Sequence, residues 1–585
     1  MPRAVLTERL RAVRSYRPGG YAIALGALLV FAFLLRIWGA RSGLPYAFNA
    51  DENAHFVPHA IGMFTNNWNP EYYVNPAAYT NVLHIVFGVW FGGRKGVSDA
   101  FAAHPSEVFA VARVTAAVLG TMGIWLLYLA GARLFDRRTG LLAAALLAVS
   151  FLPVFYAHLA LNDVPTFAPI GLSLWGTAGI LREGRMRDYV IAGLGVGIAA
   201  ATKYTGGIVL LPLLAATGAQ FFAPGGHKPA TRGLIVAGLV ALAGFVGTNP
   251  FALIDFHAFR EGLSHQTQAA DDAIGKLGLT QDNGVAYYLW TFTWGMGWVP
   301  LIAAIAGAVL LLRDERRLTA VLAPAPIVFV IFMGSQTRFF GRWLMPVFPM
   351  VALLAAYFIL EMADTLSRRR PALRPTLLVL GVVALCGQGL LYSLHSGLVL
   401  SRADTRNMAR TWMVAHVPEH SKVVVEPIMP DAWAQDIGHP LPDTPNGYRW
   451  VKWPTARSPF DPNTGQPVPP PGALVNIEDY ERILNPGLVT QYEDKGYCYV
   501  LTGSTQRGRA EAEPDVVPNA VAYYKALEQQ GDVVYQASPY SKGSGPVKFN
   551  FDWSFDYYPL AYHRPGPLIT IYHLRGGQCA QAPLS

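Results

Sequence analysis

Asp51 and Glu52 stand side by side in "YAFNADENAH", residues 46 to 55, immediately after the first long apolar run of the chain. Other ionisable residues recur at the ends of later apolar runs: Asp163 in "ALNDVPTF", Lys203 in "ATKYTGG", and Arg338 and Arg342 in "TRFFGRWLMP". Charges in or beside such runs are expensive and mark function by default. A carboxylate within hydrogen-bond reach of a hydroxyl serves as general base, worth roughly 10² to 10⁴ in rate. Nearby cations stabilise the charge that gathers on a departing phosphate, and Arg does so with two prongs. A sugar transfer from a polyprenyl phosphate would require such a set. Asp51 and Glu52 are the catalytic candidates; Asp163, Lys203, Arg338 and Arg342 are the substrate-binding ones. A monophosphate leaving group is handled by cations alone, so neither a metal nor a cofactor is expected. His55 and His59 are four apart beside Asp51, but Pro58 disturbs the helical geometry that joint ligation would need.

Each candidate has a plainer reading. Asp is a favoured N-cap, so Asp51 and Asp163 equally suit the starts of the helices that follow them. Glu52 suits a solvated first turn of a helix. Lys203 suits a side chain snorkelling to the headgroups, and Arg36, near the end of the first run, is read that way. Arg338 and Arg342 share a face if helical, one on phosphate and the other an anchor.

The elements that must position these groups follow from composition. The 585 residues are 52% hydrophobic and 14% charged, too apolar for an ordinary soluble domain. At ~20 apolar residues per span, the sequence predicts a polytopic α-helical membrane protein of about eleven spans. They run over 21 to 40, 107 to 130, 140 to 157, 165 to 181, 189 to 202, 206 to 222, 233 to 250, 286 to 312, 319 to 333, 347 to 363 and 375 to 400. Basic clusters fall in every second loop, at the amino terminus, "RLFDRR", "REGRMR", "HKPATR", "RDERR" and "RRRPALR". Cytoplasmic loops retain such charge, which leaves the 41 to 106 loop, the 251 to 285 loop and the carboxyl tail outside. Residues 401 to 585 hold 16 Lys plus Arg against 19 Asp plus Glu, so the net charge of +8 is an orientation signal and gives no support to nucleic-acid binding. The first run has the length of a full span and no clear small-residue cleavage site, unlike a signal peptide.

Two regions stand outside the spans. The 41 to 106 loop is long enough to be functional, and "DENAHFVPHAIGMF" and "AAYTNVLHIVFGVWFG" read as interfacial helices bordering a lateral opening toward lipid. After about residue 400, "ADTRNMARTWMVAHV" predicts an amphipathic helix capped by Asp404 or Thr405, and "SKVVVEP" a buried strand. "NIEDYERIL" and "NAVAYYKALEQQ" predict helices, "GYCYVLTG", "GDVVYQAS" and "GPLITIYHL" strands, and "PVPPPG" a loop. The domains are thus 1–400, a membrane transferase, and 401–585, an external α/β domain. Cys386 reads as a packing residue, while Cys498 and Cys579 fall in the tail, where an oxidising compartment permits a disulfide.

Asp51-Glu52, "LNDVP", "YVIAGLGVGIAAATKYTGGIVLLP" and "RFFGRWLMPVFPMVALLAA" resemble, as an ordered set over roughly residues 20 to 365, the lipid-linked-sugar glycosyltransferases of the C-type fold. The branch is similar to protein O-mannosyltransferases and bacterial aminoarabinose transferases. The resemblance implies that Asp51 is catalytic and that Asp163 lines the same cavity. Aminoarabinose transferases carry a Lys before a Pro-Pro pair late in the first loop; here Asn75 precedes Pro76. That departure speaks against lipid A modification and shifts the donor phosphate onto Lys203, Arg338 and Arg342.

The expectation is an inverting glycosyltransferase in a bacterial plasma membrane, its amino terminus cytoplasmic. It would move a sugar from a polyprenyl-monophosphate donor to a protein, glycan or lipid acceptor on the external face, with Asp51 as base. The competing class is a transporter or lipid flippase with a lateral gate.

Overall fold

A computed structural model describes residues 19–271, 276–279, 283–437, 447–453 and 480–581. It shows a multi-pass helical bundle joined to a small sheet domain. Among the described residues, eight helical stretches are long and apolar enough to cross a membrane. The other three expected spans are shorter. Phe167–Glu183 and Met186–Thr202 have 17 residues each, and the expected span over 140 to 157 is two helices, Arg137–Val149 and Phe151–Tyr156, broken at Ser150. Small residues let helices touch backbone to backbone: a Cβ on Gly193 or Gly197 would collide with the backbone of Ala237 and Ala241.

The break at Ser150 leaves carbonyls without helical partners inside the bundle, where they must be satisfied by protein. Arg36 supplies two of the bonds, donating from Nη1 to the Ala148 carbonyl at 2.9 Å and from Nη2 to that of Leu147 at 3.3 Å. Ser393 donates to the Val149 carbonyl at 3.0 Å. Arg36 is 0% exposed. It is a buried cap for the helix Arg137–Val149, and the expectation of a snorkelling side chain is corrected.

The first loop folds partly into the bundle. A π turn, Glu52–Phe56, runs into the helix Val57–Gly62, and Phe56, Val57, Ala60 and Met63 are buried rather than spread along an interface. The second expected helix, Ala78–Phe91, is apolar on both faces rather than amphipathic: Tyr79, Leu83 and Phe87 face inward, and Ile85, Val89 and Trp90 are exposed.

Beyond the helix Arg374–Leu400, Asp404 caps the helix Thr405–His416, its carboxylate accepting from the Arg406 amide at 2.9 Å. Five strands follow: β1 Lys422–Val425, β2 Val451–Trp453, β3 Tyr497–Gly503, β4 Gly531–Ala537 and β5 Ile569–Leu574. They lie in the order β2-β1-β3-β5-β4. β1 runs parallel to β2 and β3, with Val424 opposite Val500, and β5 runs antiparallel to β3 and β4, with Leu501 opposite Ile571. The central strands read as apolar runs because both of their faces are covered. Helices Gly487–Lys495, Ser504–Ala512 and Pro518–Gln530 complete the domain. Cys498 and Cys579 are bonded, at an S–S distance of 2.10 Å, and Cys386 is free. "PVPPPG" and the first residues of "NIEDYERIL" lie outside the described residues.

The two regions exchange side chains. Tyr46, from the first loop, belongs to the core of the sheet domain, and Tyr557, from the sheet domain, belongs to the core of the bundle.

Candidate functional site

A cavity of about 710 Å³ opens where the first loop, the helical bundle and the sheet domain meet. Asp51, Asp163, Lys203, Arg338 and Arg342 all line it. Glu52 is not among its lining residues.

Local folding separates the two adjacent carboxylates. Asn49 takes the capping role, its side-chain oxygen accepting from the amides of Asp51 at 3.1 Å and Glu52 at 3.2 Å. That frees the Asp51 carboxylate, which is 32% exposed and meets Arg342 Nη2 at 2.6 Å. Its other oxygen lies 3.9 Å from His55 Nε2. Burial alone would raise the Asp51 pKa, but Arg342, His55 and Lys203 outweigh it and hold the group below the ordinary carboxylate value. Burial also lowers the pKa of His55, whose ring is stacked on Tyr72 at 4.7 Å.

Successive helical residues point about 100° apart, so Glu52 faces the bundle. It is 0% exposed, and Arg113 grips it with two bonds of 2.7 Å while the Ala160 amide donates at 2.9 Å. Arg113 Nη1 also donates to the carbonyls of Ala40 and Ser42, at 2.8 Å each. Glu52 and Arg113 thereby tie the first loop to the segment that carries Asp163.

Asp163 is buried in an ion pair with Lys203. Its neighbour Asn162 donates to the Thr202 carbonyl at 2.9 Å and to Asn75 Oδ1 at 3.3 Å. Asn75 lines the cavity too, and donates to the Tyr72 hydroxyl at 3.0 Å. The position before Pro76 thus offers an amide and no charge. Arg338 and Arg342 do not share a helix. Residues 338 to 340 are extended or irregular, and Arg342 is the second residue of the tight turn Gly341–Val347. Instead their guanidinium groups approach one ring, Phe340, at 4.9 and 5.3 Å. Among the described residues no cluster of His, Cys, Asp or Glu is arranged to hold a metal ion.

Four residues of this site were not singled out from the sequence. Arg113 is a cation inside an apolar span, a signal of the same kind as the others. Asn49, Phe340 and Tyr156, whose ring lies 5.9 Å from the Arg342 guanidinium, carry no such mark, because caps and aromatic cradles are defined only by what they meet in space.

Two solved structures resemble this chain in fold over most of its length. In the structure of the Archaeoglobus fulgidus oligosaccharyltransferase in its apo form, 14% identical, the match covers 92% of this chain and 75% of that one at a TM-score of 0.51. ArnT from Cupriavidus metallidurans, bound to undecaprenyl phosphate, is also 14% identical, with 94% of this chain and 97% of that one covered at a TM-score of 0.50. The fold is that of the C-type glycosyltransferases. In sequence, the family described as dolichyl-phosphate-mannose-protein mannosyltransferase matches residues 104–248. No curated protein matches the sequence.

Proposed function

We propose that this protein is a membrane glycosyltransferase that takes a sugar from a polyprenyl-monophosphate donor. One observation carries the reading: Asp51 shares a single cavity with Asp163, Lys203, Arg338 and Arg342, and touches the last of them. The size of that cavity suits a sugar and its phosphate. Leu263, Phe332, Met333 and Trp343 are among the residues that line it, and they would supply apolar contacts for the first isoprene units. ArnT, of the same fold, was solved with undecaprenyl phosphate.

In this mechanism Asp51 accepts the proton of the acceptor hydroxyl as its oxygen attacks the anomeric carbon. The bond from that carbon to the phosphate oxygen breaks, and polyprenyl phosphate leaves with the electron pair. A single displacement inverts the anomeric centre. Arg342, Arg338 and Lys203 stabilise the charge on the departing phosphate. As the phosphate binds, it draws Arg342 away from Asp51, which makes the carboxylate a stronger base. Glu52 acts through Arg113 to hold the loop that carries Asp51, a positioning role. The acceptor is a protein, glycan or lipid hydroxyl reaching the cavity from the side of the sheet domain.

The disulfide suits an oxidising compartment, and the basic loops on the opposite side support the reading that the sheet domain lies outside a bacterial plasma membrane. Incubation of the purified full-length protein with a panel of polyprenyl-phosphate sugars tests the reading. Consumption of one donor with release of polyprenyl phosphate is expected. Labelled donor carried across a proteoliposome membrane intact, with no new glycosidic linkage, would instead make the protein a flippase.

A further inference from the structure

The Arg342 guanidinium lies between two aromatic faces, Phe340 at 5.3 Å and Tyr156 at 5.9 Å. Each of these rings is backed by the sheet domain. The Tyr557 hydroxyl is 3.1 Å from that of Tyr156, and the Phe551 ring is 6.1 Å from Phe340. Both backing residues belong to one short segment, 551 to 558, which leaves the sheet domain and enters the core of the helical bundle.

That segment is anchored in the bundle by polar and aromatic contacts. Asp552, 1% exposed, accepts from the Tyr287 hydroxyl at 2.8 Å. Trp553 stacks on Phe151 with ring centroids 5.8 Å apart. Gly341, next to Arg342, has no room for a side chain, since a Cβ there would come within 2.9 Å of Trp294 and 3.2 Å of the Tyr557 hydroxyl. A domain that only presented an acceptor would have no need to bury an aspartate and several aromatics among the transmembrane helices.

We infer that the 551 to 558 segment is part of the active site's frame: Tyr557 and Phe551 are positioning residues that hold the Tyr156 and Phe340 rings and so aim Arg342 at the donor phosphate. The inference rests on the transferase reading above, and makes the sheet domain obligatory for the donor half of the reaction.

The test is a double-mutant cycle in the full-length protein, with Tyr557→Phe, Arg342→Lys and the pair. Donor kinetics and the affinity for polyprenyl monophosphate alone are both measured. Loss of one buried hydrogen bond predicts a fall in donor kcat/KM and in phosphate affinity of about 3- to 10-fold for Tyr557→Phe, with the acceptor KM unchanged. In the Arg342→Lys background the same change should have almost no further effect, because it acts through the group already altered. Effects that multiply independently, or Tyr557→Phe kinetics equal to wild type, would overturn the inference. Tyr557→Phe keeps the ring and its packing, and Phe551→Leu, which removes only the aromatic backing of Phe340, gives a second route to the same cycle. A wild-type protein that binds polyprenyl monophosphate but transfers no sugar would overturn the transferase reading alone, and the binding arm would still decide the positioning role. Wild type that neither binds nor transfers would sink both.

Discussion

Two adjacent carboxylates do opposite things here, and their surroundings explain it. Asp51 keeps partial exposure and pairs with Arg342 at the cavity wall, whereas Glu52 is locked between Arg113 and a backbone amide. Removing one member of a buried pair leaves the other charge uncompensated, at about 3–5 kcal/mol. Glu52→Gln is therefore expected to lower the thermal midpoint of the detergent-solubilised protein by several degrees, and a second change, Arg113→Met, to recover part of it. An unaltered midpoint in Glu52→Gln would contradict the positioning role. At this scale much of the site was legible in the sequence, because Asp51, Asp163, Lys203 and Arg342 are conspicuous charges in an apolar chain. The direction in which each points was not legible. It depends on Asn49 capping the turn, and on whether a ring such as Phe340 stands nearby.

The long apolar helices followed directly from hydropathy. The break at Ser150 did not, since "LLAAALLAVSFLPVFYAHLA" reads as one continuous run and Pro153 is tolerated in the first turn of a helix. What makes the break affordable is Arg36, 112 residues from Ala148 in sequence. The strand β2, three residues long, was likewise unreadable, because its pairing with β1 is all that defines it. The break redirects the chain so that Tyr156, His158, Asn162 and Asp163 reach the cavity. Arg36→Met strands the carbonyls of Leu147 and Ala148, with a penalty of about 1–3 kcal/mol for each buried group left unpaired. The variant should unfold at a lower temperature and lose transfer activity together with its stability. Arg36→Met with full stability would show that water or other side chains serve the broken end.

The whole molecule is two cores that share a site, and its stability should carry the signature of the sheet domain. Burial pushes the Glu426 carboxyl up to about 8, against the pull of the Gly503 amide and the Tyr524 hydroxyl. Its ordinary value is 4.5. Between these two pH values the folded chain holds a proton that the unfolded chain has released, so this group's contribution falls as pH rises and levels off above the folded value. Thermal unfolding of the full-length protein across this range should show a flatter pH profile for Glu426→Gln than for wild type; parallel profiles would refute the assignment. The union of the two cores was hidden in the sequence, where "FDWSFDYY" mixes acids with aromatics and fits no span. The central claim remains that this joint cavity transfers sugar with Asp51 as its base. Turnover of the reconstituted full-length protein on its preferred polyprenyl-phosphate sugar, compared with that of Asp51→Asn, tests it most directly. The variant should fold, still bind polyprenyl monophosphate, and lose at least about 10²-fold in rate. Near-normal turnover by Asp51→Asn would contradict it.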